Sequence, residues 1–266
     1  MNTALITGAS SGIGEAFARR LAAQGRNLLL VSRSEDKLIS LCNELGRMNS
    51  IRAQHFALDL SLPESPARLF EETQKRGLVI DLLVNNAGFG AFGDFEKTDL
   101  DRQLNMIDLN VKALVALTHL FLAPMRGRKQ GTIINVASTA SFQAVPYMAN
   151  YSATKAFVLS LSEALWEENR PYGVTIMALC PGVTETNFFE AAHGHKPPAR
   201  ASQTPEEVVD TALRGLAARK SSIVSGFANL MMVEAERFVP RSWIVRIAGK
   251  MMRNEYEKET SQAQRR

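Results

Sequence analysis

The stretch from Ala4 to Gly14, Ala-Leu-Ile-Thr-Gly-Ala-Ser-Ser-Gly-Ile-Gly, decides how the fold is interpreted. An apolar strand leads into a turn that contains Gly8 and Gly12, and a helix begins inside that turn. Glycines in such a turn let backbone N–H groups approach a pyrophosphate at the positive end of the helix. The Gly-x-x-x-Gly-x-Gly spacing differs from the Gly-x-Gly-x-x-Gly pattern, and a plain turn is the alternative. Its place directly after the first strand nevertheless favours nucleotide binding.

Short runs rich in Val, Ile and Leu alternate with longer amphipathic stretches, which is typical of βαβ units around a buried parallel sheet. We predict strands near Ala4–Thr7, Asn27–Ser32, Ile51–Leu58, Ile80–Asn85, Gly131–Ala137, Val174–Leu179 and Ser222–Val224. We predict helices near Ile13–Gln24, Ser34–Leu45, Pro63–Lys75, Asp99–Met125, Tyr151–Glu168 and Thr204–Ala218. This order predicts an α/β fold of the doubly wound (Rossmann) type, with a ligand crevice at the carboxyl ends of its strands.

The composition of the 266-residue chain, 45% hydrophobic and 22% charged, is that of a soluble globular protein. A net charge of +4 is too small to indicate a nucleic-acid partner. Cys42 and Cys180 form no Cys-x-x-Cys pair, so we expect a reducing compartment. The longest apolar stretch, Ala113–Met125, is too short to span a membrane, and a cleaved signal peptide would remove the first strand. We expect a cytoplasmic protein with a Rossmann domain, 1–228, and a C-terminal helical extension, 229–266.

The end of the second predicted strand indicates which dinucleotide would bind. In the usual dinucleotide fold a carboxylate there binds the ribose 2′-hydroxyl and would repel a 2′-phosphate. Here the strand ends in Ser32 and Arg33, which offer a hydroxyl and a guanidinium to such a phosphate. A solvated arginine at a helix start is the alternative, but the missing carboxylate favours NADP(H) over NAD(H).

Tyr151 and Lys155 lie four positions apart on a predicted helix, so they share one face, and Ser138 lies just past a strand end upstream. A free phenol with a pKa of about 10 is almost wholly protonated at neutral pH. A tyrosine that acts as a general acid or base therefore needs a nearby cation to bring its pKa towards the working pH. Lys155 is placed to supply that cation, although each of these residues alone is more often structural.

These motifs together resemble the short-chain dehydrogenase/reductase family over about residues 1–225. The elements that carry the resemblance appear in the family's order: Thr7–Gly14, Asp59-Leu60, Asn85-Asn86-Ala87-Gly88, Asn110, Ser138, Tyr151, Lys155 and Pro181-Gly182-Val183-Thr184-Glu185-Thr186. The resemblance implies a hydride-transferring oxidoreductase that uses NADP(H). Where some NADP-dependent relatives have a basic residue just before the second glycine, this chain has Ser11, which leaves Arg33 as the main phosphate clamp.

The resemblance also implies a role for each residue. Ser138 and Tyr151 would bind the substrate carbonyl, and Tyr151 would donate its proton. Lys155 would bind the nicotinamide ribose, while Asn110 would hold a water that reconnects the proton path to solvent. The implied cofactor-binding residues are Gly8, Ser10, Ser11, Gly12, Ile13, Gly14, Ser32, Arg33, Asp59, Leu60, Asn86, Ala87, Gly88, Tyr151, Lys155, Pro181, Gly182, Val183, Thr184 and Thr186.

The loops around the expected carbonyl position favour an apolar substrate, because they are rich in aromatic residues and poor in charge. The candidate lining residues are Phe89, Phe92, Phe95, Phe142, Val145, Tyr147, Phe188 and Phe189. We interpret 184–203, which has no clear periodicity, as a lid over this pocket. His193 and His195 have no obvious carboxylate or cysteine partner, so we predict no metal site.

The C-terminal tail predicts one helix, then Pro240, then an amphipathic helix from about Ser242. In the second helix Arg246, Lys250 and Arg253 share a face, and Ile244, Ile247 and Met251 share another. A helix that contacts a membrane surface is possible. A helix docked on the protein or at a subunit interface is favoured. The amino-acid sequence of the tail resembles the tails in the branch of the family that contains very-long-chain 3-oxoacyl reductases and hydroxysteroid dehydrogenases.

The sequence thus favours an NADPH-dependent reductase of lipophilic ketones, aldehydes or 3-oxoacyl groups. A nucleotide-binding sensor or scaffold without turnover, and a lipid-surface protein acting through its tail, are the alternatives. The resemblance further implies a homodimer or homotetramer that pairs through the helices Asp99–Met125 and Tyr151–Glu168.

Overall fold

Seven parallel strands form one sheet in the computed structural model, which describes residues 2–186, 188 and 202–263. The strands are β1 (Asn2–Thr7), β2 (Asn27–Ser32), β3 (Ala53–Ala57), β4 (Val79–Asn85), β5 (Gly131–Val136), β6 (Val174–Cys180) and β7 (Ser222–Val224). Their spatial order is β3-β2-β1-β4-β5-β6-β7. The order reverses between β1 and β4, which is where a doubly wound sheet opens a ligand crevice. The predicted fold class is confirmed.

Helices connect the strands and continue beyond the sheet. They are α1 (Gly12–Ala23), α2 (Glu35–Asn49), α3 (Ser65–Lys75), α4 (Leu100–Ile107), α5 (Leu114–Gly127), α6 (Ala149–Asn169), α7 (Pro205–Ala217), α8 (Phe227–Glu236) and α9 (Arg241–Ala263). A π-helical turn, Asp108–Ala113, joins α4 to α5, and short 3₁₀ turns span Thr139–Ser141 and Arg170–Tyr172.

The sheet is buried on both faces because successive side chains of each strand point to opposite sides. In β1, Ile6 packs on the face covered by α1, α2 and α7, whereas Leu5 packs on the face covered by α3 and α5. In β2, Leu28 packs on the same face as Ile6, and Leu29 packs on the same face as Leu5. All four side chains are fully buried, which explains why these strands appear in the sequence as continuous apolar runs.

The long helix predicted at Asp99–Met125 is interrupted in the structure. Asp99 caps it, since its side chain accepts a hydrogen bond from the Arg102 N–H at 2.8 Å. After α4 the backbone widens into the π-helical turn, which contains Asn110, and then returns to the α-helical form as α5. Turns of this kind inside α-helices often occur at functional sites. The third strand is also shorter than the predicted Ile51–Leu58.

By length and composition alone, the helical run Leu100–Gly127 is long and apolar enough to cross a membrane, since an 18-residue window within it has a mean hydropathy of 1.5. Its side chains Leu117, Phe121 and Met125, however, are buried against the sheet. Its apolar composition is therefore that of a core helix.

The two cysteines are free, buried thiols. Cys42 lies on the inner face of α2, and burial raises the pKa of its thiol to about 11. Cys180 ends β6, and burial raises its pKa to about 12. Both residues thus behave as small apolar side chains of the core.

The C-terminal helix α9 contacts the body of the protein with one side. Gly249 faces Pro146, Tyr256 stacks on Tyr147 with ring centroids 5.0 Å apart, and Arg253 Nε donates to the Tyr147 hydroxyl at 3.3 Å. The predicted division of its faces is partly wrong. Ile244 is half-buried, whereas Ile247 and Met251 are exposed, as are Arg246 and Lys250, and Arg253 contacts Tyr147. The reason is that the contact with the protein body, rather than the charge pattern, sets the rotation of the helix.

A chain of buried polar side chains joins the middle of the sheet to its helices. Asn85 Nδ2 of β4 donates to Asn135 Oδ1 of β5 at 2.9 Å and to Thr118 Oγ1 of α5 at 3.1 Å. Asn135 Nδ2 donates in turn to Ser162 Oγ of α6 at 3.0 Å. Since all four side chains are buried, each depends on the others for hydrogen bonds.

Replacing Asn135 with alanine should therefore destabilise the protein by about 1–3 kcal/mol, because both Asn85 and Ser162 lose a buried partner. The measurement is the free energy of unfolding in urea. Asn43→Ala, on the exposed side of α2, is the matched control and should change stability by less than about 0.5 kcal/mol. Equal effects of the two substitutions would show that the polar chain does not stabilise the sheet.

Candidate active site

The glycine turn lies at the carboxyl end of β1. Gly8 and Gly12 have φ angles of +65° and +57°, which side chains with a Cβ rarely adopt. A Cβ on Gly14 would lie 2.3 Å from the Gly8 carbonyl oxygen, so that a larger residue there would push the first turn of α1 away from β1. The glycines therefore hold the start of α1 directly against the turn.

Hydrogen bonds join this turn to the end of β4. The Thr7 hydroxyl accepts from the backbone N–H groups of Asn86 and Ala87, both at 2.9 Å, and donates to the Val84 carbonyl. Asn86 Nδ2 donates to the carbonyls of Thr7 at 2.9 Å and Gly8 at 3.2 Å. The Asn86 amide thus shapes the turn, and the crevice between β1 and β4 has a fixed width.

The loop after β6 forms the opposite wall of the crevice. Thr184 Oγ1 donates to the Gly182 carbonyl at 3.1 Å, and the Thr186 methyl group packs against the open side of Gly12. The strand-like pairing of Thr184 with Gln203 holds the loop in place. The proposed lid at 184–203 lies mostly outside the described residues, as do Phe189, His193 and His195.

Arg33 and Asp59 lie at the far end of the crevice, past β2 and β3. Arg33 Nη1 is 3.9 Å from Asp59 Oδ2, and the arginine side chain is 79% exposed. The Asp59 carboxylate also accepts hydrogen bonds from the N–H and hydroxyl of Ser61. Ser32 Oγ accepts from the Ser34 N–H at 3.2 Å, and Leu60 is buried. An exposed ion pair of this length contributes little to stability, so the Arg33 guanidinium remains available to bind an anion.

Ser138, Tyr151 and Lys155 come together where β5 ends. Ser138 follows β5, and its hydroxyl accepts from the Ala140 N–H at 3.1 Å. Tyr151 and Lys155 project from one side of α6, and Lys155 Nζ lies 5.9 Å from the centroid of the Tyr151 ring. Lys155 Nζ donates to the Val136 carbonyl at 2.7 Å, which pulls the side chain to the end of the strand. The three residues predicted from the sequence are thus neighbours.

Burial sets the proton affinities of this group. It raises the pKa of Tyr151 to about 12, and a hydrogen bond with Ser138 opposes part of that rise. Burial also lowers the pKa of Lys155 to about 8. The sequence predicts that Lys155 lowers the tyrosine pKa. In the structure the tyrosine pKa is raised instead, because the side chain is buried.

Asn110 connects the π-helical turn to both neighbours of the site. Its Oδ1 accepts from the Phe89 N–H at 3.1 Å, and its Nδ2 donates to the Phe89 carbonyl at 2.9 Å and to Thr154 Oγ1 at 3.2 Å. A Cβ on Gly88 would lie 2.8 Å from Asn110 Oδ1 and 3.7 Å from Lys155 Nζ. The loop after β4 therefore lies close to the Tyr151–Lys155 pair only because residue 88 is glycine.

The residues at this edge of the sheet fit a dinucleotide. The N-terminus of α1 has no side-chain cap from Ser11, so its first N–H groups are open to a phosphate. At the other end of the crevice, Lys155 Nζ has one hydrogen-bond acceptor within the described part of the chain, the Val136 carbonyl. An ammonium has three donors, so two remain for hydroxyl groups such as those of a ribose.

Comparison with known proteins agrees with this geometry. A family model described as short chain dehydrogenase matches residues 2–196. The chain belongs to this family. The resemblance drawn from the sequence motifs is thereby confirmed, and this dehydrogenase is an oxidoreductase that uses a nicotinamide cofactor.

Individual relatives cover most of the dehydrogenase. The very-long-chain 3-oxoacyl-CoA reductase of Rattus norvegicus is 32% identical over 267 residues, covering 97% of this chain and 82% of the relative. The 7beta-hydroxysteroid dehydrogenase of Mediterraneibacter gnavus is 31% identical over 229 residues, covering 85% and 86%. Among solved structures, the short-chain dehydrogenase from Sphingobium yanoikuyae in complex with NADPH has a TM-score of 0.81 at 31% identity, covering 89% of this chain and 94% of its own.

The aromatic residues expected around the substrate divide into three groups in the dehydrogenase. Phe89, Phe92, Val145 and Phe188 pack in one cluster with Tyr151, and the Phe188 ring lies 5.4 Å from the Tyr151 ring. Phe142 packs instead with the core between β6 and α6, and Phe95 is 62% exposed. Phe142 and Phe95 therefore lie outside the cluster around Tyr151, because position in a loop does not reveal the direction of a side chain.

Sequence reasoning missed several supporting residues of the dehydrogenase. Thr154 bonds to Asn110, Asn229 of α8 packs against the backbone of Gly182, and Tyr256 of α9 stacks on Tyr147. Thr154 lies inside the Tyr-Ser-Ala-Thr-Lys motif, so its position was visible. No local signal connects Asn229 or Tyr256 with loops more than 40 positions away.

Among the described residues of the dehydrogenase, no group of three or more His, Cys, Asp or Glu side chains could hold a metal ion.

Proposed function

We propose that this dehydrogenase is an NADPH-dependent reductase that acts on the carbonyl of a lipophilic ketone, aldehyde or 3-oxoacyl compound. The observation that carries the proposal is the buried Tyr151–Lys155 pair beside Ser138, at the carboxyl edge of the sheet and near the glycine turn. A proton donor and a cation in this position suit the protonation of a carbonyl oxygen.

The reaction needs a hydride, which NADPH supplies when it is bound. Ser138 and Tyr151 donate hydrogen bonds to the substrate oxygen, and Tyr151 then transfers its proton to that oxygen. A phenol with a pKa of about 12 is fully protonated at neutral pH, so the acid is ready in the direction of reduction. The opposite direction needs the phenolate and is disfavoured by the same burial.

Lys155 stabilises the phenolate that the proton transfer leaves behind. Its pKa of about 8 keeps the ammonium mostly protonated at pH 7, and it lies on the same side of α6 as the phenol. Its free donors bind the nicotinamide ribose. Both Nδ2 protons of Asn110 are already donated in hydrogen bonds within the protein. An oxygen of Asn110 would therefore accept the hydrogen bond from the water of the proton path.

The preference for NADPH rests on Arg33. Its exposed guanidinium follows β2 on the crevice side of the sheet, where the adenosine ribose of a dinucleotide binds in this fold. Ser32 adds a neutral hydroxyl. The binding of NADPH by the Sphingobium yanoikuyae relative supports the same choice.

An apolar substrate is supported by the cluster around Tyr151. The side chains that would surround the carbonyl are apolar, and they are Phe89, Phe92, Val145 and Phe188. The names of two relatives, a very-long-chain 3-oxoacyl-CoA reductase and a 7beta-hydroxysteroid dehydrogenase, point to bulky lipophilic compounds.

The dehydrogenase should act as a homodimer or homotetramer. Leu100, Leu104 and Val115 on the α4–α5 run and Phe157 on α6 are apolar and exposed. Because α4 packs beside α6, these side chains are available to a second copy.

Tyr151→Phe should lower kcat for carbonyl reduction by about 10²- to 10⁴-fold, because it removes the proton donor. The Kd for NADPH, measured by fluorescence titration, should stay within about twofold, since the phenyl ring remains. Lys155→Met should lower kcat and also weaken the binding of NADPH, because one ammonium serves the ribose and the phenol.

Tyr172→Phe, on the surface after α6, is the matched control and should leave kcat unchanged. If the wild-type protein bound NADPH, but none of the carbonyl compounds in a broad screen led to NADPH oxidation, the protein would be a nucleotide-binding sensor. A Tyr151→Phe variant as fast as wild type would refute the proposed proton donor.

Arg33→Asp should lower the ratio of kcat/KM for NADPH to that for NADH by about ten- to a hundredfold. A charge-assisted hydrogen bond to a phosphate contributes about 1.5–3 kcal/mol, and the new carboxylate adds repulsion. Steady-state kinetics with both cofactors measures the ratio. Arg52→Asp, an exposed arginine at the opposite end of the sheet, should not change it. A wild-type ratio below one would contradict the assignment.

Light scattering at micromolar concentration should give at least twice the 29.3 kDa mass of the chain. Phe157→Glu should shift that mass towards the monomer, because a charge on an apolar contact opposes association. Met48→Glu, on the outer face of α2, is the control. A monomeric wild-type protein would rule out the proposed assembly.

A further inference from the structure

The C-terminal helices carry an unusual share of the exposed apolar surface. Nine of the nineteen large apolar side chains that are exposed in the described part of the chain lie between Phe227 and Met251. They are Phe227, Leu230, Met231, Met232, Phe238, Val239, Trp243, Ile247 and Met251. We call these nine side chains the apolar strip. Clusters of this kind generally mark a surface that binds something.

Basic residues accompany the apolar strip. Between Arg237 and Arg253 the chain has five basic residues and no acidic one. On α9, Trp243, Ile247 and Met251 follow one another at intervals of four and form a line along the exposed side. Arg246 and Lys250 are exposed and flank that line, so cationic groups border the apolar ones.

Contacts with the protein body fix the direction in which this side of α9 points. The opposite side of the helix meets Pro146 and Tyr147 through Gly249, Arg253 and Tyr256. Rotating α9 to bury Trp243 would therefore break the stacking of Tyr256 on Tyr147. Trp243, Ile247 and Met251 are exposed because the other side of α9 is already in contact with the protein body.

We propose that α8 and α9 form a docking surface for a lipid bilayer that contains anionic lipids. The apolar side chains would enter the boundary between headgroups and acyl chains, with Trp243 at the level of the headgroups. Arg246 and Lys250 would extend along the surface and place their charges near the lipid phosphates. This proposal does not depend on the reaction catalysed.

A second copy of the chain fits this surface less well than a bilayer does. A twofold contact through α9 brings the same patch of each copy together. Arg246 and Lys250 of one copy would then face the same cations of the other, and the segment from Arg237 to Arg253 has no carboxylate to compensate. Anionic lipids would supply negative charge along the whole of this segment, whereas the nearest carboxylates of a second copy, Glu234 and Glu236 of α8 and Glu255 and Glu257 of α9, lie beyond its ends.

The test is sedimentation of the full chain with vesicles. Wild-type protein should pellet with vesicles of phosphatidylcholine containing phosphatidylglycerol, and much less with pure phosphatidylcholine. Raising the NaCl concentration to about 0.5 M should weaken the binding, because salt screens the charges.

Two double variants separate the apolar and the charged contributions. Trp243→Glu with Ile247→Glu should abolish binding to either vesicle. Arg246→Glu with Lys250→Glu should lower the partition coefficient on anionic vesicles by about thirtyfold or more, since each basic residue contributes about fivefold. All four positions are exposed or at the helix surface, and circular dichroism checks that the variants fold.

The matched controls lie on α2, at the opposite edge of the sheet. Met48→Glu removes an apolar side chain that is even more exposed than Trp243 or Ile247, and Lys37→Glu with Arg47→Glu reverses two exposed charges. Both should bind vesicles as the wild type does. A loss of binding in the controls would show that net charge, and not this surface, attracts the protein.

Two results would overturn the proposal. One is a wild-type protein that stays in the supernatant with anionic vesicles at low salt. The other is a Trp243→Glu and Ile247→Glu variant that binds vesicles normally but has a lower mass by light scattering, which would make this face a subunit interface.

Discussion

The hydrogen bonds between Thr7 and the segment after β4 are the constraint on which the site depends. The strand order reverses between β1 and β4, so the ends of these strands are the two sides of the crevice. Thr7 Oγ1 and the Asn86 amide bridge the gap with bonds of 2.9–3.2 Å. The bridge aligns the glycine turn with the loop at Gly88, and through Asn110 it reaches the Tyr151–Lys155 pair. The glycine turn and the proposed proton donor are thus held in place by the same contacts.

Burial determines the chemistry at the other end of the crevice. The same desolvation raises the pKa of Tyr151 and lowers that of Lys155 to about 8, so that at neutral pH the phenol is protonated and the ammonium is still mostly charged. A group whose pKa is near the working pH can pass a proton in either direction. The hydrogen bond to Val136 holds this ammonium beside the phenol. Packing, rather than a strong ion pair, therefore sets the pKa values and the positions of Tyr151 and Lys155.

The fold and the shared face of Tyr151 and Lys155 were predictable because they depend on local pattern. The period of the apolar residues revealed the sheet, and the four-residue spacing of Tyr151 and Lys155 placed them on one face. The π-helical turn at Asn110 was not predictable, because it depends on hydrogen bonds to Phe89 and Thr154, which are distant in sequence. The direction of Phe142 and the rotation of α9 also escaped prediction. Each is decided by the neighbour that a side chain meets, which periodicity does not encode.

The C-terminal helices contact both loops that border the proposed substrate pocket. Asn229 of α8 packs on Gly182 in the loop after β6, and Tyr256 of α9 stacks on Tyr147, four positions before Tyr151. A shift of either helix would therefore move a wall of the pocket. Keeping Tyr256 against Tyr147 requires the rotation of α9 that exposes Trp243, Ile247 and Met251. The shape of the pocket and the character of the outer surface are consequently coupled, so a substitution that reorients α9 would change both.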